Sequence, residues 1–188
     1  MQRGSCSLTL FAALWIAAAA VFLFSGRALT TNAATPAAQP AAPAAQSKPI
    51  PSDPTRVIAP YEEYTLTQGL HGAEYGHAAI DLSAGKGAPI RSPIEGDIKA
   101  HFVDAIGNTN LLIENDVYMV TLLHGLYKVQ EGDHVNLGQI IGLESNQGYT
   151  VDAYGRLCTG RDCGYHTHLN ILDKRSGENV NPLELFAE

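Results

Sequence analysis

Positive charge is scarce in this sequence: 12 Lys+Arg face 19 Asp+Glu among 188 residues, a formal net charge of -7 with histidine neutral. Such a chain lacks the basic field that draws nucleic acid, so nucleic-acid partners are excluded. From Arg56 onward the imbalance deepens to nine Lys+Arg against 18 Asp+Glu, a formal charge of -9. Cysteine is rarer still, with three residues at positions 6, 158 and 163. No stretch carries a long amphipathic helical pattern, which argues against a helical fold. No internal repeat is present, and the length suits one ordinary domain rather than two.

What is present begins with an apolar run. Residues 1–27 read as a targeting segment, with Arg3 as a short basic lead and an apolar stretch from Leu8 to Phe24 broken only by Thr9. The run is longer than a secretory core of about 7–15 residues and shorter than the about 20 residues of a membrane span. A signal peptide cleaved near Ala28 or Ala33 and a retained membrane anchor are both open. Cys6 precedes the run, which is the wrong side for a lipid-modified mature N-terminus. Either outcome puts the rest of the chain outside the cytoplasm, in the periplasm, the cell envelope or the medium. Residues 28–55 follow as an Ala/Pro-rich linker with prolines at 36, 40, 43, 49, 51 and 54. Proline at that density blocks helix and strand and leaves a disordered, extended spacer.

Residues 56–188 form the folded domain, long enough to bury a core. Gly, Asn and Asp punctuate it every 8–12 residues or so, a rhythm that predicts an all-β fold of mainly antiparallel sheets. Strands are expected near 88–92, 96–103, 110–115, 117–124, 139–144 and 166–172. Glu114-Asn115-Asp116 predicts a hairpin turn. Gly85-Lys86-Gly87 and Glu95-Gly96-Asp97 predict further turns. A short terminal helix is expected over Pro182–Phe186, opened by Asn181 and Pro182.

All seven histidines, at 71, 77, 101, 124, 134, 166 and 168, fall within this domain. In His77-Ala78-Ala79-Ile80-Asp81, an imidazole and a carboxylate are natural zinc ligands. On a straight strand the two would stand about 13 Å apart, so the chain must turn between them, which Gly76, Ala78 and Ala79 permit. Alone, the pattern better describes a loop His and a strand-end Asp in ordinary hydrogen bonds. In His166-Thr167-His168, positions i and i+2 of a strand face the same way, about 6–7 Å apart at Cα. Alone, they equally describe two exposed positions of a half-buried strand. His124 ends Tyr118–Leu123, where alternation groups it with Tyr118, Val120 and Leu122. Together these residues mean more. His77, Asp81 and His168 would fill three positions of a tetrahedral zinc site and leave the fourth open, as a catalytic site requires. His124 and His166 could then move protons.

The order His77-x-x-x-Asp81, isolated His124, His166-x-His168 resembles that of the M23, or lysostaphin-like, metallopeptidases. The frame from Gly85 to Ile98, the stretch Glu131–Gly142 and the ending Asn181-Pro182 are similar too, so the likeness runs over residues 66–184. It implies a β-rich core whose sheets form a groove. It implies one Zn2+ per chain held by His77, Asp81 and His168, with catalytic roles for His124 and His166. It further implies metalloendopeptidase activity on the peptides of bacterial peptidoglycan, with the N-terminal segment, if uncleaved, holding the chain at the membrane. Some relatives keep the fold but lose ligands and act as wall-binding or hydrolase-activating modules; here all five positions are filled. A carrier-domain reading of Glu131–Gly142 lacks the usual setting around Lys86 or Lys128.

Three departures stand out. The last motif reads His-Thr-His-Leu where the family commonly reads His-Leu-His-Phe. Leu122 stands where a Tyr is common. The segment from Ser145 to Gly164 is longer than the family's short loop and is expected to reshape one wall of the groove. It carries Cys158 and Cys163, which outside the cytoplasm are expected to pair. A structural zinc knuckle of Cys158, Cys163, His166 and His168 is the cramped rival. His71 and Tyr75 flank the first ligand, as surface loop residues or as substrate contacts.

Overall fold

A computed structural model describes residues 53–186; the apolar segment and nearly all of the expected linker lie outside the described residues. The chain runs β1 (Thr65–His71), a 3-10 turn (Ala73–Tyr75), β2 (Ala79–Ser83), β3 (Pro89–Arg91), β4 (Gly96–Val103) and β5 (Thr109–Glu114). It continues through β6 (Tyr118–Leu123), β7 (Leu126–Tyr127), β8 (His134–Val135), β9 (Ile140–Leu143), β10 (Thr167–Asp173), β11 (Glu178–Val180) and a second 3-10 turn (Pro182–Glu184). The large sheet is ordered β1-β2-β10-β6-β5-β4-β8, with β11 also paired to β10, and a small sheet is ordered β3-β9-β7. Every strand pairing is antiparallel, as the all-β reading expects. Among the described residues no helix is long and apolar enough to cross a membrane.

Local chemistry explains the turns. The carboxamide oxygen of Asn115 accepts from the amides of Val117 (2.9 Å) and Tyr118 (2.8 Å), which closes the β5–β6 hairpin. After β2, Gly85 and Gly87 take positive φ (105° and 75°), which a residue with Cβ resists. The buried Glu144 carboxylate accepts from Ser83 Oγ and from the amides of Ala84 and Gly85, tying that turn to the end of β9. The chain then turns around Pro93–Glu95, and Gly96 already opens β4. The expected terminal helix is the short 3-10 turn, whose Leu183 amide is capped by the Asn181 side chain at 3.3 Å.

One row of side chains organises the core. Ile80, Leu169, Leu122 and Leu111 lie across β2, β10, β6 and β5 in register and are all fully buried. Ile90 and Ile141 of the small sheet join the same core cluster. Because side chains alternate along a strand, the next row must face the other way. That row is Asp81, His168, Leu123 and Asn110, again in register. The packing that buries the first row therefore fixes the presentation of the second.

Candidate functional site

Asp81, His168 and Leu123 of the second row line an open cleft of about 920 Å³. His71, Asp81, His124, His166 and His168 line it, together with Tyr149, Val151 and Asp152 from the long loop. Asp81 and His168 are direct cross-strand partners on β2 and β10, and His168 Nδ1 lies 2.9 Å from Asp81 Oδ1. Their side chains are only 10% and 14% exposed. Burial pushes the Asp81 carboxyl up, but the hydrogen bond from His168 and the nearby His166 and His71 outweigh it and hold Asp81 below the usual carboxylate range. Asp81 is thus an anion at neutral pH, surrounded by imidazoles.

His124 departs from simple alternation. A regular strand would carry it beneath the sheet with Leu122. Instead its backbone turns left-handed at φ 70°, the only such residue other than glycine among the described residues. Such conformations are uncommon outside glycine and cluster at functional sites. The turn puts the His124 ring 4.6 Å from that of His166 and 6.3 Å from that of His168. Its Nδ1 donates to the Gln147 carbonyl at 2.8 Å, so a neutral ring keeps its lone pair on Nε2. Burial, with His166 adding repulsion, pushes its pKa down to about 4, so it is neutral at pH 7. His166, just ahead of β10, donates Nδ1–H to the Gly164 carbonyl at 2.9 Å and brings Nε2 to 3.7 Å from Asp81 Oδ2.

His77 follows the turn between β1 and β2. Gly72 (φ 78°) accepts the His77 amide on its carbonyl at 3.2 Å, and a Cβ there would stand 2.6 Å from the His77 carbonyl oxygen. The His77 ring stacks on His168, with centroids 5.3 Å apart and planes within 7°. Burial, then His168 and His71, lower its pKa and favour the neutral, ligand-competent form. Asp81, His77 and His124 thus lie against His168, and His166 lies against Asp81 and His124. The set of ligand atoms within 4.8 Å of one another is nonetheless His71, Asp81 and His168, without His77. His71 was placed by sequence only as a neighbour of the first ligand. The single sign available was its position six residues before His77, which no simple ligand spacing marks.

The donor set, imidazole nitrogens and one carboxylate, fits a borderline divalent cation such as zinc. The zinc-knuckle alternative fails, because Cys158 and Cys163 are joined by a disulfide with Cα atoms 5.5 Å apart. The bridge stiffens the loop over 145–166. Asn146 Nδ2 donates to the carbonyls of Arg161 and Cys163, and Asp152 pairs with both Arg156 and Arg161. This loop, with Tyr149 and Val151, supplies the expected wall of the cleft. Closing so short a loop is worth about 2 kcal/mol in a chain-entropy account. Reduction is therefore expected to lower the thermal midpoint by a few degrees and to speed amide exchange chiefly over residues 146–164, as hydrogen-exchange mass spectrometry would report.

A buried carboxylate ringed by imidazoles, on the floor of an open cleft in an antiparallel sheet, defines a protein with a candidate metal centre. Residues 75–182 match the profile of Peptidase family M23, and the chain belongs to that family. No curated protein matches it in sequence. Among solved structures it is similar to lysostaphin, an antimicrobial peptidase from Staphylococcus simulans, at 23% identity and TM-score 0.51, over 71% of this chain and 53% of that one. A zinc-containing peptidase from Vibrio cholerae is similar at 23% identity and TM-score 0.51, over 71% and 39%. Helicobacter pylori Csd3 is similar at 19% identity and TM-score 0.53, over 71% and 33%. At these identities the likeness is one of fold. The chain spans from a third to about half the length of those solved chains.

Proposed function

We propose that this chain is an exported zinc metalloendopeptidase that hydrolyses peptide bonds in bacterial peptidoglycan. The observation that carries the reading is the pairing of Asp81 with His168 on the cleft floor beside the close His124–His166 pair, in a member of a peptidase family. His77, Asp81 and His168 would hold one zinc ion. When bound, zinc lowers the pKa of a water to about 7 and polarises a peptide carbonyl.

The remaining work falls to His124 and His166. Each has its Nδ1–H tied to a backbone carbonyl, which leaves Nε2 as a proton acceptor and fixes the ring. One ring takes a proton from the attacking water as its oxygen bonds to the peptide carbon. As the C–N bond breaks, that proton passes to the leaving amine nitrogen, and the second ring, once it too carries a proton on Nε2, donates a hydrogen bond to the charged oxygen. Export rests on the apolar segment 1–27 and the linker 28–55, and the disulfide suits an oxidising compartment.

The test uses the full chain, purified and freed of metal with a chelator. Chelation is expected to abolish digestion of purified cell wall, and about one equivalent of zinc to restore it. His124→Ala and His166→Ala should keep the zinc and each lose roughly 10²–10⁴-fold in rate. Zinc held tightly without wall digestion would sink the catalytic reading and leave a wall-binding module. Digestion that survives removal of all metal would sink the zinc.

A further inference from the structure

The family motif stops at three ligands, yet a fourth imidazole reaches the same carboxylate oxygen. His71 ends β1, across the hairpin from Ala79, and its Nε2 lies 3.7 Å from Asp81 Oδ1. That oxygen is the one His168 Nδ1 approaches at 2.9 Å, whereas His166 approaches the other, Oδ2. The rings of His71 and His168 meet edge to face at 5.1 Å. Ligand atoms of His71, Asp81 and His168 all fall within 4.8 Å of one another.

The hydrogen bonding of His71 gives this proximity its meaning. Its Nδ1 donates to the Gly69 carbonyl at 2.8 Å. That bond leaves Nε2 as the ring nitrogen turned toward the Asp81 carboxylate, at a distance that leaves room for a cation between them. A histidine whose second nitrogen donates to a backbone carbonyl is also the usual state of a metal ligand, because the bond fixes both tautomer and ring.

We propose that His71 is a further protein ligand to the zinc, so that four side chains, His71, His77, Asp81 and His168, surround it. This rests on the zinc reading above. A tetrahedral site with four protein ligands is closed, whereas hydrolysis needs an open position. His71 is therefore the ligand that substrate must displace. It sits on the element best placed to yield. β1 is the edge strand of the large sheet, its residues from Thr65 to Leu70 are exposed, and its register with β2 shifts between Gln68 and His71.

The experiment measures metal binding by the full chain, independently of hydrolysis. Zinc affinity is taken by competition with a chromophoric chelator for wild type and His71→Ala. A His71→Cys variant is loaded with cobalt and its near-ultraviolet spectrum recorded. The expected results are an affinity about tenfold or more weaker in His71→Ala and a thiolate-to-cobalt charge-transfer band in His71→Cys that wild type lacks. Equal affinities together with no such band overturn the proposal and leave the three-ligand zinc reading intact. A wild type that binds no zinc overturns both at once. Matching circular dichroism of the metal-free proteins guards against misfolding, and the cysteine variant decides the matter if the alanine variant folds poorly.

Discussion

His168→Ala is expected to abolish zinc retention and wall hydrolysis together while leaving the fold in place. His168 is the centre of the cluster: it bonds Asp81 at 2.9 Å, and its ring meets those of His71, His77 and His124. Truncation removes one ligand and strips the buried Asp81 carboxylate of its hydrogen bond. The loss should far exceed the about 10–100-fold that follows removal of an outer-shell partner. The backbone of β10 keeps its ladders to β2 and β6, so the far-ultraviolet circular dichroism should not change. Metal content and digestion are to be measured on the same sample. Full activity in His168→Ala would remove His168 from the chemistry altogether.

The second large effect is on stability. Leu122→Ala should cost about 2–5 kcal/mol, the range for deleting a fully buried leucine side chain. Leu122 is 0% exposed, in the middle of the buried row between Leu111 and Leu169. Against a typical total of about 5–15 kcal/mol, that is a large share. A urea titration should show a lower midpoint with an unchanged slope. A shift worth less than about 1 kcal/mol would mean that this row does not hold the sheet as described. The row lies directly beneath Asp81 and His168, so the variant should also bind zinc more weakly.

How much of this was legible in the sequence depended on local pattern. β3, β4, β5, β6, β9 and β10 fall where the segments between Gly, Asn and Asp turn residues predicted them. β1 escaped because Thr65–Leu70 is exposed and interrupted by Gly69, with no apolar alternation to read. β2 is short and buried along nearly its whole length, so it too lacks alternation. β7 and β8 have two residues each, and their existence is decided by partners far along the chain. The motif histidines could be found because their spacing is itself the signal. The placement of His124 on the cleft side could not, because it depends on one left-handed backbone angle. His71 was missed as a ligand candidate for a related reason. An irregular hairpin register, rather than a sequence interval, carries it to Asp81.

The strand order has a consequence in time. β10 lies between β2 and β6 at the heart of the large sheet, although Asp81 and His168 are 87 residues apart in sequence. Pairings of such long range form slowly, because loop closure precedes any gain from contact. Synthesis proceeds from the N-terminus at roughly 5–20 residues per second, so β10 leaves the ribosome well after β2 and β6. Until then β2 and β6 have no strand between them, and Asp81 has no His168. A chain that stops short of β10 therefore carries no assembled centre.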